Sequence, residues 1–272
     1  MNDMILVAKK ELRSLGSDKL ILAQVLLVPF ALVFGFFLLM SAMGGNTAES
    51  TAEEGRQLLG MILPVMLLMA SFTACMNLAA ETVAGDKERG FLPLLLIAPV
   101  RRASIAAGKA LSMLAAAAVS GLSAFLGMLT ALPKLSEALG VSGTLSLTLA
   151  EYSLLFSANL TAVFALTGML LILSTLARDV RQAVNIAPVI IMVLMIGGMM
   201  TTSDAFRQTI DSLGLWNSVI PAWNSLLLMG EVVNGTHTAA ELLLTCGSNL
   251  LFAALAAVIA GWCFRQDRII VN

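Results

Sequence analysis

Six stretches of this chain stay apolar for long enough to cross a bilayer as helix. They are Leu20–Met43, Leu58–Ala80, Ser104–Leu132, Tyr152–Leu176, Gln182–Thr201 and Ala239–Phe264. A hydrocarbon layer of about 30 Å takes roughly 20 residues of α-helix. The chain therefore reads as an all-α membrane protein with six transmembrane helices. Its composition agrees, with 58% hydrophobic and only 12% charged residues, where a soluble domain carries about 25% charge. The net charge of −1 speaks against a nucleic-acid partner, which needs a basic excess on one face.

Thirteen of the 16 Lys and Arg residues fall on one side of that six-span drawing. The positive-inside rule then places both termini in the cytoplasm. Residues 1–19 form an amphipathic segment: Ile5, Ala8, Leu12 and Leu15 recur at helical spacing while Lys9, Lys10 and Arg13 gather elsewhere on the wheel. Such a helix lies in the headgroup layer as an elbow before the first span. That span is longer than the 7–15 residues of a signal-peptide core and is expected to be retained. Residues 203–238 make an external loop whose middle, Leu213–Met229, is apolar and carries Trp216, Pro221 and Trp223. It reads as a broken or re-entrant helix. The whole of 1–272 is expected to be one membrane domain.

The chain contains no glycine-rich nucleotide loop ending in Lys-Ser/Thr, no His-Glu-x-x-His and no Gly-x-Ser-x-Gly. Its single His237 sits in a polar loop, and Cys75, Cys246 and Cys263 match no metal or redox spacing. No catalytic or metal site is expected. An ion-coupled carrier usually buries an acid in mid-span. Here Glu81, Glu151 and Glu241 all stand at span ends. That pattern weighs against an ion-coupled secondary transporter, and points to a partner as the source of energy. A non-transporting membrane scaffold or receptor is the other alternative.

The most informative segment is the internal basic loop after the second span, residues 86–103. It opens with Asp86-Lys87-Glu88-Arg89 and Gly90, continues through an apolar run from Leu92 to Ile97, and closes with Pro99 and Arg101-Arg102. Physically this is a short amphiphilic helix between two breakers, Gly90 and Pro99. It suits either the lipid interface or a groove on a soluble partner.

The order Glu-Arg-Gly-x-Leu, Leu-Leu, Ala-Pro-Val-Arg-Arg and Gly-Lys, set between spans two and three, resembles the type-2 ABC exporter permeases, closest to the sodium- and drug-exporter branch. The layout of six spans, amphipathic N-terminal helix and broken external segment is similar too. The resemblance implies that the segment is a coupling helix docking on a separate ABC ATPase. Its coupling residues would be Glu81, Asp86, Glu88, Arg89, Gly90, Leu94, Leu95, Pro99 and Arg101, with Val100 at the helix exit and Gly108 and Lys109 at the entry to span three. Pro93 departs from the family, where many relatives carry an acid. A translocation path between two permease copies would be lined by spans two and five, through Ser71, Thr73, Asn77, Asn185, Met192 and Met195. The resemblance further implies no cofactor on this chain, ATP and Mg in the partner subunit, lipid contact, and a bacterial or archaeal cytoplasmic membrane.

Overall fold

The computed structural model describes residues 2–44, 52–91, 101–138, 147–200 and 220–264. Eight helices carry the described chain: α1 (Asn2–Ser17), α2 (Lys19–Gly44), α3 (Ala52–Ala80), α4 (Arg102–Ala138), α5 (Leu149–Leu176), α6 (Val180–Met200), α7 (Trp223–Asn234) and α8 (Ala239–Cys263). No strand occurs among the described residues. Five of the helices, α2, α3, α4, α5 and α8, are long and apolar enough to cross a membrane. The fifth expected span coincides with α6, which is helical for 21 residues and apolar over Val180–Val193.

Burial sorts the spans into layers. In α3 and α5, 67% of the apolar window is buried within the chain, against 22% in α2 and α8. The first pair is therefore the centre of the bundle, and the second is its rim. The core runs through Phe37, Leu63, Phe72, Met128, Leu166 and Phe264, all essentially without exposure.

Apolar helices in lipid gain little from hydrophobicity against each other, so close packing through small residues decides which ones touch. Gly127 of α4 lies so near α2 that an added Cβ would stand 2.8 Å from the Phe30 carbonyl oxygen and 3.2 Å from its Cα. Ser123, one turn earlier, donates its hydroxyl to the Leu26 carbonyl of α2. That carbonyl stands beside the point where Pro29 leaves the α2 ladder one N–H short. On the other rim, a Cβ at Gly168 of α5 would meet Ala256 of α8 at 2.9 Å.

Two acids that stood at span ends have structural employment. Glu151 accepts from the Thr148 backbone N–H at 2.6 Å while Thr148 accepts from Glu151 N at 3.3 Å. Glu241 and Thr238 repeat the arrangement at 2.8 and 3.3 Å. These are reciprocal capping boxes that satisfy the first free amides of α5 and α8.

The segment before α8 is helical from Trp223 to Asn234. Residues 201–219, the first half of the expected broken pair, lie outside the described residues. Helix α7 starts deep among other helices. Ala222, with φ +66°, is 1% exposed and donates its N–H to Asn249 Oδ1 at 3.3 Å. Asn249 stands at mid-length of α8. Its amide reaches Ser225 Oγ at 2.7 Å and Thr161 Oγ1, at mid-length of α5, at 3.5 Å. Irregular backbone survives at such depth only where protein groups meet its hydrogen bonds, and Asn249 does that here. At its other end α7 lies against α3, where a Cβ on Gly230 would sit 3.0 Å from the Gly60 carbonyl oxygen, and Arg56 Nε donates to Val233 O at 3.2 Å.

Gly127→Ala tests the α2–α4 contact. Backbone has to move to admit the methyl, so a loss of about 1–3 kcal/mol is expected. It would be read as a lowered melting temperature of purified protein in detergent, with Gly35→Ala, where nothing lies within 4 Å, as the neutral control.

Candidate functional site

The charged turn at the end of α3 is where the helices of the basic end meet. Beyond Ala80 the helix does not stop. It widens into a π-helical turn, Glu81–Gly85, and then closes one α-turn, Asp86–Glu88. A π turn frees backbone groups from the regular ladder and needs something inserted to satisfy them. Ser174 of α5 fills that role: its hydroxyl accepts from Ala84 N at 3.1 Å and donates to Ala80 O at 3.4 Å. Ala80, Ala84, Ala177 and Ala183 close around this point as a small apolar cluster with Val180 and Val184.

The three side chains that follow go to three different helices. Asp86 Oδ2 accepts from Lys109 Nζ of α4 at 2.5 Å. Lys87 Nζ donates to Thr175 O at 2.5 Å and Ala177 O at 3.0 Å, the last carbonyls of α5. Glu88 Oε2 accepts from Val180 N at 3.3 Å, the first amide of α6. Lys87 and Glu88 each have the sign that the helix end requires, a cation on a C-terminus and an anion on an N-terminus. The short link between α5 and α6 is thus clipped from below by Lys87 and Glu88. Within it Asp179 Oδ1 accepts from Gln182 N at 2.6 Å and Gln182 Oε1 from Arg178 N at 2.8 Å.

Lys109 is the centre of the cluster. Its side chain is 0% exposed, yet its ammonium meets three oxygens: Asp86 Oδ2, the Thr82 carbonyl at 2.6 Å, and Glu11 Oε1 of α1 at 3.3 Å. A buried ammonium is tolerable only with such a complete set of acceptors. The contact also seats α1 on α4. One residue earlier, a Cβ on Gly108 would fall 2.7 Å from the Val7 side chain and 3.0 Å from Met4 O. Sequence reading placed Lys109 at the mouth of a span, whereas here it joins α1, α3 and α4.

The expected coupling residues divide accordingly. Asp86 and Glu88 direct their carboxylates to partners within the chain. Glu81, Arg89, Gly90 and Arg101 are exposed. Gly90 takes φ +66°, a conformation that glycine adopts freely. Phe91 follows, half exposed, with Lys10 Nζ of α1 4.9 Å from its ring centroid. Leu94, Leu95, Pro93, Pro99 and Val100 lie outside the described residues. Lys87 was read only as part of the charged cluster and given no role, and Ser174 and Glu11 were not singled out from sequence. Nothing in the local pattern marks them, because their partners are 88 to 98 positions away.

The expected path residues are not all on one face. Ser71 is fully buried, and its carbonyl accepts from Ser120 Oγ of α4 at 3.2 Å. Thr73 and Asn77 are half buried one turn apart on α3, and the Thr73 hydroxyl is turned back to Met69 O at 2.8 Å. Asn185 and Met192 are exposed on α6. Met195 lies on the same helix, in a stretch whose side chains lie outside the description. Among the described residues, no group of three or more His, Cys, Asp and Glu side chains is placed to hold a metal.

Residues 5–267 match the model of the ABC-2 family transporter proteins. The chain belongs to that family. It is also 24% identical over 225 residues to the ABC transporter permease protein NatB of Bacillus subtilis (strain 168), an alignment taking in 81% of this chain and 57% of the relative. The chain thus spans a little over half the length of that permease. Family membership, with the long apolar helices, makes it an integral membrane protein.

Replacing Lys109 by Met leaves two carboxylates facing an apolar side chain. A loss of about 3 kcal/mol is expected, the low end for a broken buried pair, since both carboxylates keep some access to water. The triple change Lys109→Met, Asp86→Leu, Glu11→Leu should recover most of it. Melting curves of the two variants against the native chain check both.

Proposed function

We propose that this chain is the permease of an ABC exporter, moving cargo across the cytoplasmic membrane with energy from a separate ATPase subunit. The match over residues 5–267 carries the reading. Six crossings are inferred, the five long apolar helices and α6, with both ends on the Lys- and Arg-rich cytoplasmic face. Two copies would face each other with the cargo path between them. Support comes from α3 and α6, which leave Thr73, Asn77, Asn185 and Met192 at least partly uncovered within one chain.

The mechanism follows from the charged turn. ATP binding would draw the ATPase subunits together and displace the coupling segment after Gly90. Any displacement reaching Asp86–Glu88 acts at once on α4 through Lys109, on the end of α5 through Lys87 and on the start of α6 through Glu88. The chain's own contribution is a choice between two arrangements of these helices, biased by the partner. The capping roles of Glu151 and Glu241 remove two acids from any ion-coupled alternative.

The test is reconstitution with an ATPase encoded beside this chain. Native permease should raise the ATPase's turnover. Gly90→Pro, which cannot hold φ +66° because proline fixes φ near −65°, should cut that stimulation about fivefold or more while the protein still inserts and binds the ATPase. Unchanged stimulation would remove the coupling role of this segment. Absence of any ATPase that binds the native chain would remove the exporter reading.

A further inference from the structure

We infer that the elbow helix and the two helices beside it form a binding site for one anionic phospholipid. The inference rests on the chain being a membrane protein and not on the ATP-driven reading. Helix α1 uses one side against α4, where Ala8 is buried and Glu11 meets Lys109. Its other side is apolar and charged together. Ile5 and Leu12 stay 50% and 41% exposed next to Lys9 and Arg13. These four, with Ala8 and Leu111 of α4, line an open recess of about 470 Å³. Lys9 and Arg13 stand one helical turn apart, so both cations reach the same edge of it.

The recess leads past Leu12, which it shares, into a second groove of about 250 Å³ between α1, α2 and α4. That groove is apolar throughout. Leu15, Val25, Ala115 and Val119 are on its walls. It is open because Ala115 has only a methyl where a larger side chain would fill the space between the helices. Leu111, Ala115 and Val119 occupy successive turns of α4, going from the Lys- and Arg-rich end toward the middle of the helix. Along that line the lining changes from two cations over an apolar floor to hydrocarbon alone.

This gradient matches the shape of a phospholipid: a phosphate at Lys9 and Arg13, and an acyl chain laid over Ala115 and Val119. A protein partner fits less well, since the apolar half continues along a membrane-crossing helix and meets the exposed Leu22 and Leu26 of α2. An anionic headgroup is favoured over a zwitterionic one because the recess lining contains two cations and no acid. A bound lipid would touch α1, α2 and α4 together and fix the angle of the elbow.

The experiment uses the purified full chain in nanodiscs of equimolar phosphatidylglycerol and phosphatidylcholine, with native mass spectrometry to count retained lipid. Phosphatidylglycerol should be retained over phosphatidylcholine on the order of tenfold, the scale expected for two basic side chains at a membrane surface. The preference should fall as salt is raised, a reading that needs no variant. Lys9→Gln with Arg13→Gln should bring the ratio near one, and Lys9→Arg with Arg13→Lys should preserve it. Ala115→Phe should lower retention of both lipids. Equal retention by the native chain, or an unchanged ratio in the double Gln variant, overturns the proposal. So does a double Gln variant that keeps its lipid preference but no longer binds an ATPase, which would assign this face to a protein partner.

Discussion

Lys109 carries a charge out of contact with water, and a charge in that position persists only if its protons all find oxygen. Asp86, Glu11 and the Thr82 carbonyl supply those oxygens, and they come from two other helices. The requirement is therefore not local to Lys109. The start of α4, the end of α3 and the middle of α1 must arrive at one place before the ammonium can be buried. Exchange of such a group for well-fitted apolar side chains is often neutral or stabilising. Its contribution is then one of arrangement: it ties α1 to the start of α4 and the end of α3.

The same logic spreads through the turn that follows. Lys87 and Glu88 give the end of α5 and the start of α6 partners within the chain for their free carbonyls and amide. Together with Asp86 they turn a short charged stretch into a junction among α4, α5 and α6. The side chains beyond it, Arg89 and Phe91, are turned outward. Inward residues give way to outward ones within six positions, the arrangement on which the proposed coupling rests.

Much of the architecture was legible in the sequence because lipid imposes a length and a composition on each crossing helix. The amphipathic first helix was legible for the same reason. The capping boxes at Thr148–Glu151 and Thr238–Glu241 were also written there, as Thr-x-x-Glu before an apolar run, and reading those acids only as span-end charges missed the pattern. The charged turn was harder. Consecutive ionic residues after an apolar run look like a solvated loop, and nothing local says that Asp86 will meet a lysine 23 positions on or that Lys87 will cap α5. Ala117 of α4 is fully buried while Ala115, two positions earlier, leaves a gap, and the tightest approaches occur at Gly108, Gly127 and Gly168. Which small residue faces a helix and which faces a space depends on rotation about the axis, and a composition count does not contain it.

The widened turn at Glu81–Gly85 sets the facing of the residues after it. A π turn holds one residue more than the α-helix it interrupts, and one residue corresponds to about 100° of rotation at 3.6 residues per turn. Removing any single position there would restore a regular helix above and below. Keeping the count but tightening the turn to a regular α-helix would instead swing Asp86, Lys87 and Glu88 by more than a quarter circle, away from α4, α5 and α6 alike. The width of the turn between Ala80 and Asp86 is therefore as much a part of the junction as the identity of its residues.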